Sequence, residues 1–383
     1  MSYRPPKNVV LLALTSFFND LSSEMILSIF PAFFVSVLKA GAGSLGLVEG
    51  LADGLSNIIK IYSGQLSDTI QKRKPFILLG YSLSVATRPF YLLVATVAGV
   101  VGLRVTDRVG KGLRDSARDA MLSLSTSKEE MGRAFGFHRA FDTLGAIAGP
   151  LIAYFILRAY PDGFHIVFIT AFLAGLLAVI TVFFVKEIAG EVKKKNLSLS
   201  SFAGLSNNFK HYLLSLLFLS LGNIPVAVLL LKTQSIGLAL ASIPLFYLLY
   251  NLSYAGFSFH AGKMSDQFGS KKVIIAGYCT LIAGYVFLAF AESTPLLIAG
   301  FLVLGLFPAL TDGVQRALAS ELSEEAQRGS ALGYVNAISG VGLLLAGISG
   351  GYIWQQFGVG YALLLAGVFV CVGIGILSKV SSK

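Results

Sequence analysis

The sequence predicts an all-α membrane protein of twelve transmembrane helices, arranged as two six-helix bundles of like topology. Three observations predict it. The 383 residues are 55% apolar and only 13% charged, with 41 glycines and a mean hydropathy of +0.75, a composition whose solvent is lipid rather than water. Twelve apolar stretches approach 20 residues, enough to cross roughly 30 Å of hydrocarbon at about 1.5 Å per residue. One short charged motif also occurs twice, 198 residues apart: Gly64-Gln-Leu-Ser-Asp68 followed by Arg73-Lys74, and Gly262-Lys-Met-Ser-Asp266 followed by Lys271-Lys272.

The spans are expected at 8–38, 44–66, 75–97, 99–122, 133–158 and 164–186, then at 210–232, 238–262, 272–291, 295–319, 329–353 and 359–378. Residues 189–208, with Lys193-Lys194-Lys195, read as a linker between an N-terminal bundle (1–188) and a C-terminal bundle (209–383). Other connections are too short for a soluble domain. The first apolar run is long, is interrupted by Asn19, Asp20 and Glu24, and has no small-residue cleavage site, so it reads as a retained helix rather than a leader.

Lysine and arginine in short loops stay on the cytoplasmic side. With the N-terminus inside, cytoplasmic segments hold 18 of the 30 cations, whereas the opposite face holds Lys39, Arg158 and Lys232. Both termini are therefore expected in the cytoplasm, in a plasma (inner) membrane. The same asymmetry accounts for much of the +10 net charge without nucleic acid. Cys279 and Cys371 fall inside spans and the four histidines are scattered, so neither a disulfide framework nor a metal site is expected. No Walker loop is present and the aspartates around Asp53 and Asp68 do not form a phosphotransferase quartet, so the reading is not an enzyme, with no cofactor.

The repeat extends further. Arg118 and Arg316 are again 198 apart, and Glu129-Glu130-Met-Gly-Arg133 is answered by Glu324-Glu325-Ala-Gln-Arg328. Six spans separate equivalent points, which makes the halves parallel repeats, the usual build of secondary transporters.

With these residues in view, the chain resembles the major facilitator superfamily over essentially its whole length, and proton-coupled exporters within it. The family signature between spans two and three is matched by Gly64, Ser67, Asp68, Lys72, Arg73 and Lys74 and repeated by Gly262, Ser265, Asp266, Gly269, Lys271 and Lys272. Thr69 and Gln71 depart from it. The resemblance gives this loop a gating role; a positive-inside turn with a capping aspartate is the plainer role, and the two are compatible. Arg108-Val-Gly-Lys111-Gly112 resembles the span-four motif of proton-coupled exporters, with Lys111 where glutamine is frequent. Gly145-Ala-Ile-Ala-Gly149-Pro150 resembles the span-five antiporter motif, without its trailing glycine pair. Read alone, two small residues before a proline signal tight helix packing.

An ionisable group at membrane depth costs at least about 2.5 kcal/mol and marks a functional site by default. Span one carries Asn19, Asp20 and Glu24, span two Glu49, Asp53 and Lys60, span three Arg88, and span five His138, Arg139 and Asp142. Span four carries a mixed stripe from Arg104 through Arg108 and Lys111 to Arg118, and the second half offers Asn223, His260, Asp312, Arg316 and Asn336. The resemblance puts spans one, four, seven and ten around a central cavity, and thus Asp20, Glu24, Arg108 and Lys111 near one another. Asp20, Glu24, Arg108 and Asp142 are the proton-coupling candidates; Asn19, Glu49, Asp53, Lys60, Arg88, Arg104, Lys111, Arg139, Asn223, Asp312 and Arg316 are candidates to line the cavity. A carboxylate facing a cation there can be neutralised by a proton or by the cation, the physical basis of coupling. Permanent ion pairs between spans one and four are the alternative.

The expected function is export of a small organic solute by proton antiport, with a monomer enclosing its own pathway. Proton-coupled uptake of an anionic metabolite or siderophore is one alternative, and a non-transporting membrane receptor is another. Phe30, Phe33, Phe34, Tyr247, Tyr250 and Tyr254 either line a cavity or, as aromatics at helical spacing more often do, pack.

Overall fold

A computed structural model describes residues 4–70, 72–127, 130–188, 205–323 and 328–381, excluding the side chains of 61, 62, 64–69, 328 and 329. Gln71, Glu129, Glu324, Glu325 and the linker cations Lys193, Lys194 and Lys195 lie outside the described residues. The described chain is helical throughout: α1 (Lys7–Ser36), α2 (Ala42–Ile70), α3 (Lys74–Phe90), α4 (Val97–Leu124), α5 (Met131–Ala159), α6 (Phe164–Phe183), α7 (Asn207–Leu221), α8 (Val226–Leu230), α9 (Lys232–Ser235), α10 (Ile243–Phe268), α11 (Ser270–Ala289), α12 (Thr294–Glu321), α13 (Arg328–Phe357) and α14 (Val359–Ser378). Counting α7 and α8 as one interrupted span, the long helices make twelve. Among the described residues, nine spans are long and apolar enough to cross a bilayer by composition. Helix α4 is not one of them, because eight charged side chains between Arg104 and Asp119 offset its aliphatic residues.

Three expected spans move, span eight running over Ile243–Phe268 rather than 238–262. Span three ends at Phe90 rather than near residue 97, the chain leaving the helix through turns at residues 91–93. Span seven is not continuous: α7 stops at Leu221 and α8 begins after Pro225. Proline has no N–H and disfavours helical geometry in the residue before it, so the ladder opens at this point. Tyr285 of α11 occupies the gap. Its hydroxyl donates to Gly222 O at 2.7 Å and accepts from Ile224 N at 3.1 Å.

The chain forms two compact units. The first contains residues 1–38, 55–197 and 240–244; the second contains 39–54, 198–239 and 245–383. In the first, α1 packs on α5 and α6, and α3 packs on α4 and α6. In the second, α7 packs on α13 and α14, and α11 packs on α12 and α14. These are the same four pairings shifted by one repeat.

Close helix contacts are made through glycine. In the first unit a Cβ on Gly80 of α3 would lie 2.6 Å from Gly110 O of α4, so the two backbones touch. In the second unit the start of α2 runs along α13: a Cβ on Gly50 would meet Leu344 O at 2.8 Å and one on Gly347 would meet the Gly50 Cα at 2.7 Å. Gly43 N also donates to Gln355 Oε1 at 2.9 Å. Such small-residue seams are how helices associate where lipid removes the hydrophobic drive. Phe30, Phe33 and Phe34 are buried in the first unit, where Phe33 meets Phe168 edge-on at 5.3 Å and Tyr91 stacks on Phe168 at 5.1 Å. They pack rather than line a pathway.

Each unit carries a polar clasp, at the start of α1 in the first and at the start of α7 in the second. In the first, the Asn8 side chain donates to Lys186 O (2.9 Å) and accepts from Lys186 N (3.0 Å), while Lys74 Nζ donates to Phe183 O at 2.7 Å. In the second, Asn208 donates to Ser381 O (2.6 Å) and accepts from Ser381 N (2.9 Å), while Lys271 Nζ donates to Ser378 O and Val380 O.

Candidate functional site

The charged stretch of α1 lies against the glycines of α5. A Cβ on Gly145 would come within 2.5 Å of Phe17 O and 3.1 Å of the Asp20 Cβ; one on Gly149 would come within 2.7 Å of Leu21 O and 3.0 Å of the Glu24 Cβ. The two glycines are spaced one turn apart, as are Asp20 and Glu24, so each glycine seats one carboxylate-bearing turn. Pro150 follows within the helix and is buried. Gly145, Gly149, Asp20 and Glu24, found separately in the sequence, thus form one contact.

Around that contact, Asp20 accepts a hydrogen bond from Asn19 Nδ2 at 3.1 Å and makes no ion pair among the described residues. Lys111 and Arg118 of α4 and Asp142 of α5 act on it electrostatically. Lys111 likewise forms no ion pair among the described residues, although Asp20 and Asp115 attract it. The other cations around the stripe, Lys60 of α2 among them, are engaged. Lys60 meets Asp115 at 3.3 Å, Arg104 meets Asp107 at 3.6 Å with its guanidinium over the Phe30 ring, and Arg118 meets Asp119 at 2.9 Å and donates to Ser16 Oγ at 3.4 Å. Arg114 lies over Tyr81 at 4.5 Å and donates to Ser84 Oγ at 2.6 Å. Arg108 is buried in the same stripe. On α5, His138 Nδ1 and Arg139 Nη1 approach Asp142 Oδ2 at 3.5 and 3.8 Å, His138 buried and Arg139 exposed.

Arg88 is 1% exposed and belongs to α1 and α6 as much as to its own helix. It donates to Ser22 Oγ, to Ala171 O at 3.4 Å and to Asn19 Oδ1 at 3.4 Å, and Ser22 Oγ itself donates to Ala171 O. Glycines of the span-four motif serve packing. A Cβ on Gly110 would meet Gly80 O and one on Gly112 would meet Ile59, while Gly112 O accepts from Ser63 at 2.6 Å.

Other candidates stand apart from this cluster. Glu49, buried, and Asp53 lie on the part of α2 that packs in the second unit, whereas Lys60 lies in the first. Asn223 sits at the α7–α8 break. Asp312 accepts from Tyr254 Oη at 3.0 Å and shares an exposed face of α12 with Arg316. Arg73 and Lys74 open α3, their N–H groups donating to Glu187 at 3.0 and 2.9 Å. Gly64 and Asp68 are in α2, their side chains outside the described residues; Gly262 and Asp266 are exposed on α10. Gly269, with φ of 89°, makes the tight turn before α11, a conformation glycine adopts without cost. Sequence reasoning missed Ser16, Ser22, Tyr81, Gly175 and Tyr285. A signal existed for two of them: Thr15, Ser16, Asn19 and Ser22 make a polar stripe along α1 at three- and four-residue spacing.

The sequence model of the Major Facilitator Superfamily matches residues 12–221 and 211–380. The chain belongs to this superfamily. It is 36% identical over 357 residues to the uncharacterized MFS-type transporter MJ1317 of Methanocaldococcus jannaschii, covering 91% of this chain and 89% of that protein. It is 26% identical over 378 residues to the multi-drug resistance efflux pump PmrA of Streptococcus pneumoniae, covering 93% and 92%. Among solved structures, a mutant of the nucleoside transporter NupG superposes with a TM-score of 0.82 over 97% of this chain and 98% of that one at 15% identity, a likeness of fold alone. As a superfamily member the chain is a multi-pass membrane transporter with a twelve-helix fold.

Proposed function

We propose that this transporter exports a small organic solute in exchange for protons, with Asp20 of α1 as the carboxylate that carries the proton. The observation that supports this is the placing of Asp20: its described hydrogen bond comes from a neutral amide, and among the described residues neither it nor Lys111 of α4, which acts on it electrostatically, forms an ion pair. A carboxylate and an ammonium held near one another without contact can be bridged, separated or neutralised by a proton, whereas the paired Lys60–Asp115 and Arg118–Asp119 couples are committed. Glu24, one turn along, and Asp142 complete the acidic group. The efflux pump PmrA, similar along nearly the whole chain, supports the outward direction. The distribution of Lys and Arg supports a plasma-membrane location with both termini in the cytoplasm. One chain encloses a whole superfamily fold, which supports a monomer working as two six-helix bundles, 1–188 and 209–383, joined by the 189–208 linker.

The test is proton movement in proteoliposomes containing a pH-sensitive dye. Small organic anions, carboxylate siderophores and lipophilic cations are added outside one at a time. Antiport turns the lumen alkaline, since protons leave as solute enters, and the Asp20→Asn/Glu24→Gln variant abolishes the signal. A lumen that turns acidic identifies symport, and a signal retained in the variant removes Asp20 and Glu24 from the coupling path.

A further inference from the structure

We propose that Arg88 is a positioning residue for Asp20: by holding the carbonyl oxygen of Asn19, it directs the Asn19 amide N–H toward the Asp20 carboxylate and so sets how readily that carboxylate takes a proton. The proposal rests on the reading of Asp20 as the proton carrier.

An asparagine side chain presents an acceptor on one side and a two-proton donor on the other, nearly equal in size. Which side meets Asp20 is decided by whatever grips the opposite one. A guanidinium has donors alone, so Arg88, 3.4 Å from Asn19 Oδ1, selects the orientation in which Nδ2 reaches Asp20 Oδ1 at 3.1 Å. In the reverse orientation two oxygens would face each other and the ionised carboxylate would be disfavoured. Arg88 is itself fixed from two other helices, by Ser22 Oγ of α1 and Ala171 O of α6. It makes no ion pair among the described residues and is 1% exposed, and the hydrogen bonds described for it all go to α1 and α6. A buried charge without a direct counter-ion is costly to keep, and orienting a coupling carboxylate gives a reason to keep it.

Gly175 of α6 is part of the same device. A Cβ there would collide with Arg88 Nη1 and lie 2.8 Å from Val85 Cγ2, so the guanidinium occupies the space a side chain would need. Substitution of Gly175 therefore displaces Arg88 without removing its charge.

The groups acting on Asp20 are Lys111 and Arg118 of α4, Asp142 of α5, Tyr81 and Arg88 of α3, and Asn19 of its own helix. Those acting on Arg88 are Asp107 and Arg114 of α4, Asp20 of α1 and Tyr91, just past the end of its own helix. Removing the Arg88 charge alone would raise the proton affinity of Asp20 directly, so the decisive variants are those that keep it.

The experiment is infrared difference spectroscopy of the full-length protein in lipid bilayers, titrated with pH. The protonated carboxyl band lost in Asp20→Asn is assigned to Asp20. Loss of the amide hydrogen bond withdraws stabilisation from the ionised form, so the Asp20 midpoint moves to higher pH, by roughly one pH unit in Arg88→Gln. It moves in the same direction in Ser22→Ala and Gly175→Ala, and Arg88→Lys, which lacks the fork, does not restore it. In an Asn19→Ala background, Gly175→Ala has no further effect. An unchanged midpoint in folded Ser22→Ala and Gly175→Ala, or a shift that persists without Asn19, overturns the proposal. These readings need no solute. If Asp20 titrates as described while Asp20→Asn still moves protons in proteoliposomes, the exporter reading fails and the positioning role stands.

Discussion

At the scale of single residues, several cations of the first unit have an ion pair, whereas Lys111 has none among the described residues. Arg104, Lys60 and Arg118 have carboxylates within 4 Å, and Arg114 has the Tyr81 ring and Ser84. Lys60→Ala should therefore leave Asp115 buried beside Arg114 but short of its closer partner, and should lower thermal stability in detergent without silencing proton flux. Asp20→Asn should do the reverse, leaving the melting temperature nearly unchanged and flux abolished. Asp20 and Glu24 were legible in the sequence because a charge in an apolar helix is conspicuous. Gly175 was not, because a glycine in a transmembrane helix has many causes, and nothing local to α6 says that an arginine from α3 ends against it.

At the scale of elements, helices were legible and their interruptions were not. The α7–α8 break needs Tyr285, 61 residues beyond Ile224, to satisfy Ile224 N and Gly222 O, and that partner is invisible to a local reading. Tyr285→Phe leaves both groups buried without the hydroxyl, each costing about 1–3 kcal/mol. The expected outcome is a clear fall in the unfolding midpoint, while Tyr278→Phe, whose hydroxyl accepts from the Gln315 side chain, falls less. The α2–α13 seam is a second element-scale test. Gly347→Leu places a branched side chain where Gly50 Cα already lies, and overpacking of this kind costs about 1–3 kcal/mol. Thermal unfolding of Gly347→Leu beside Gly367→Leu, whose surroundings are open, separates packing from helix propensity.

At the scale of the whole molecule, the twofold repetition was legible from the motif pair at Gly64 and Gly262 and from Arg118 and Arg316, since identical offsets over 198 residues have no other simple origin. The clasps were hidden, because Asn8 and Asn208 each bond to main-chain atoms near the end of a distant helix and leave no side-chain signature there. Asn8→Ala and Asn208→Ala should lower stability by similar amounts, about 1 kcal/mol for each hydrogen bond lost. A large inequality between the two, measured by thermal unfolding, would show that the repeats are fastened differently.

That each half carries its own clasp bears on descent. The two fasteners point the same way along the chain and use asparagine at the same place, as expected of one gene copied in tandem without inversion. Splitting the present gene between codons 188 and 205 cuts neither clasp, and two half-genes expressed together test whether each half keeps its own.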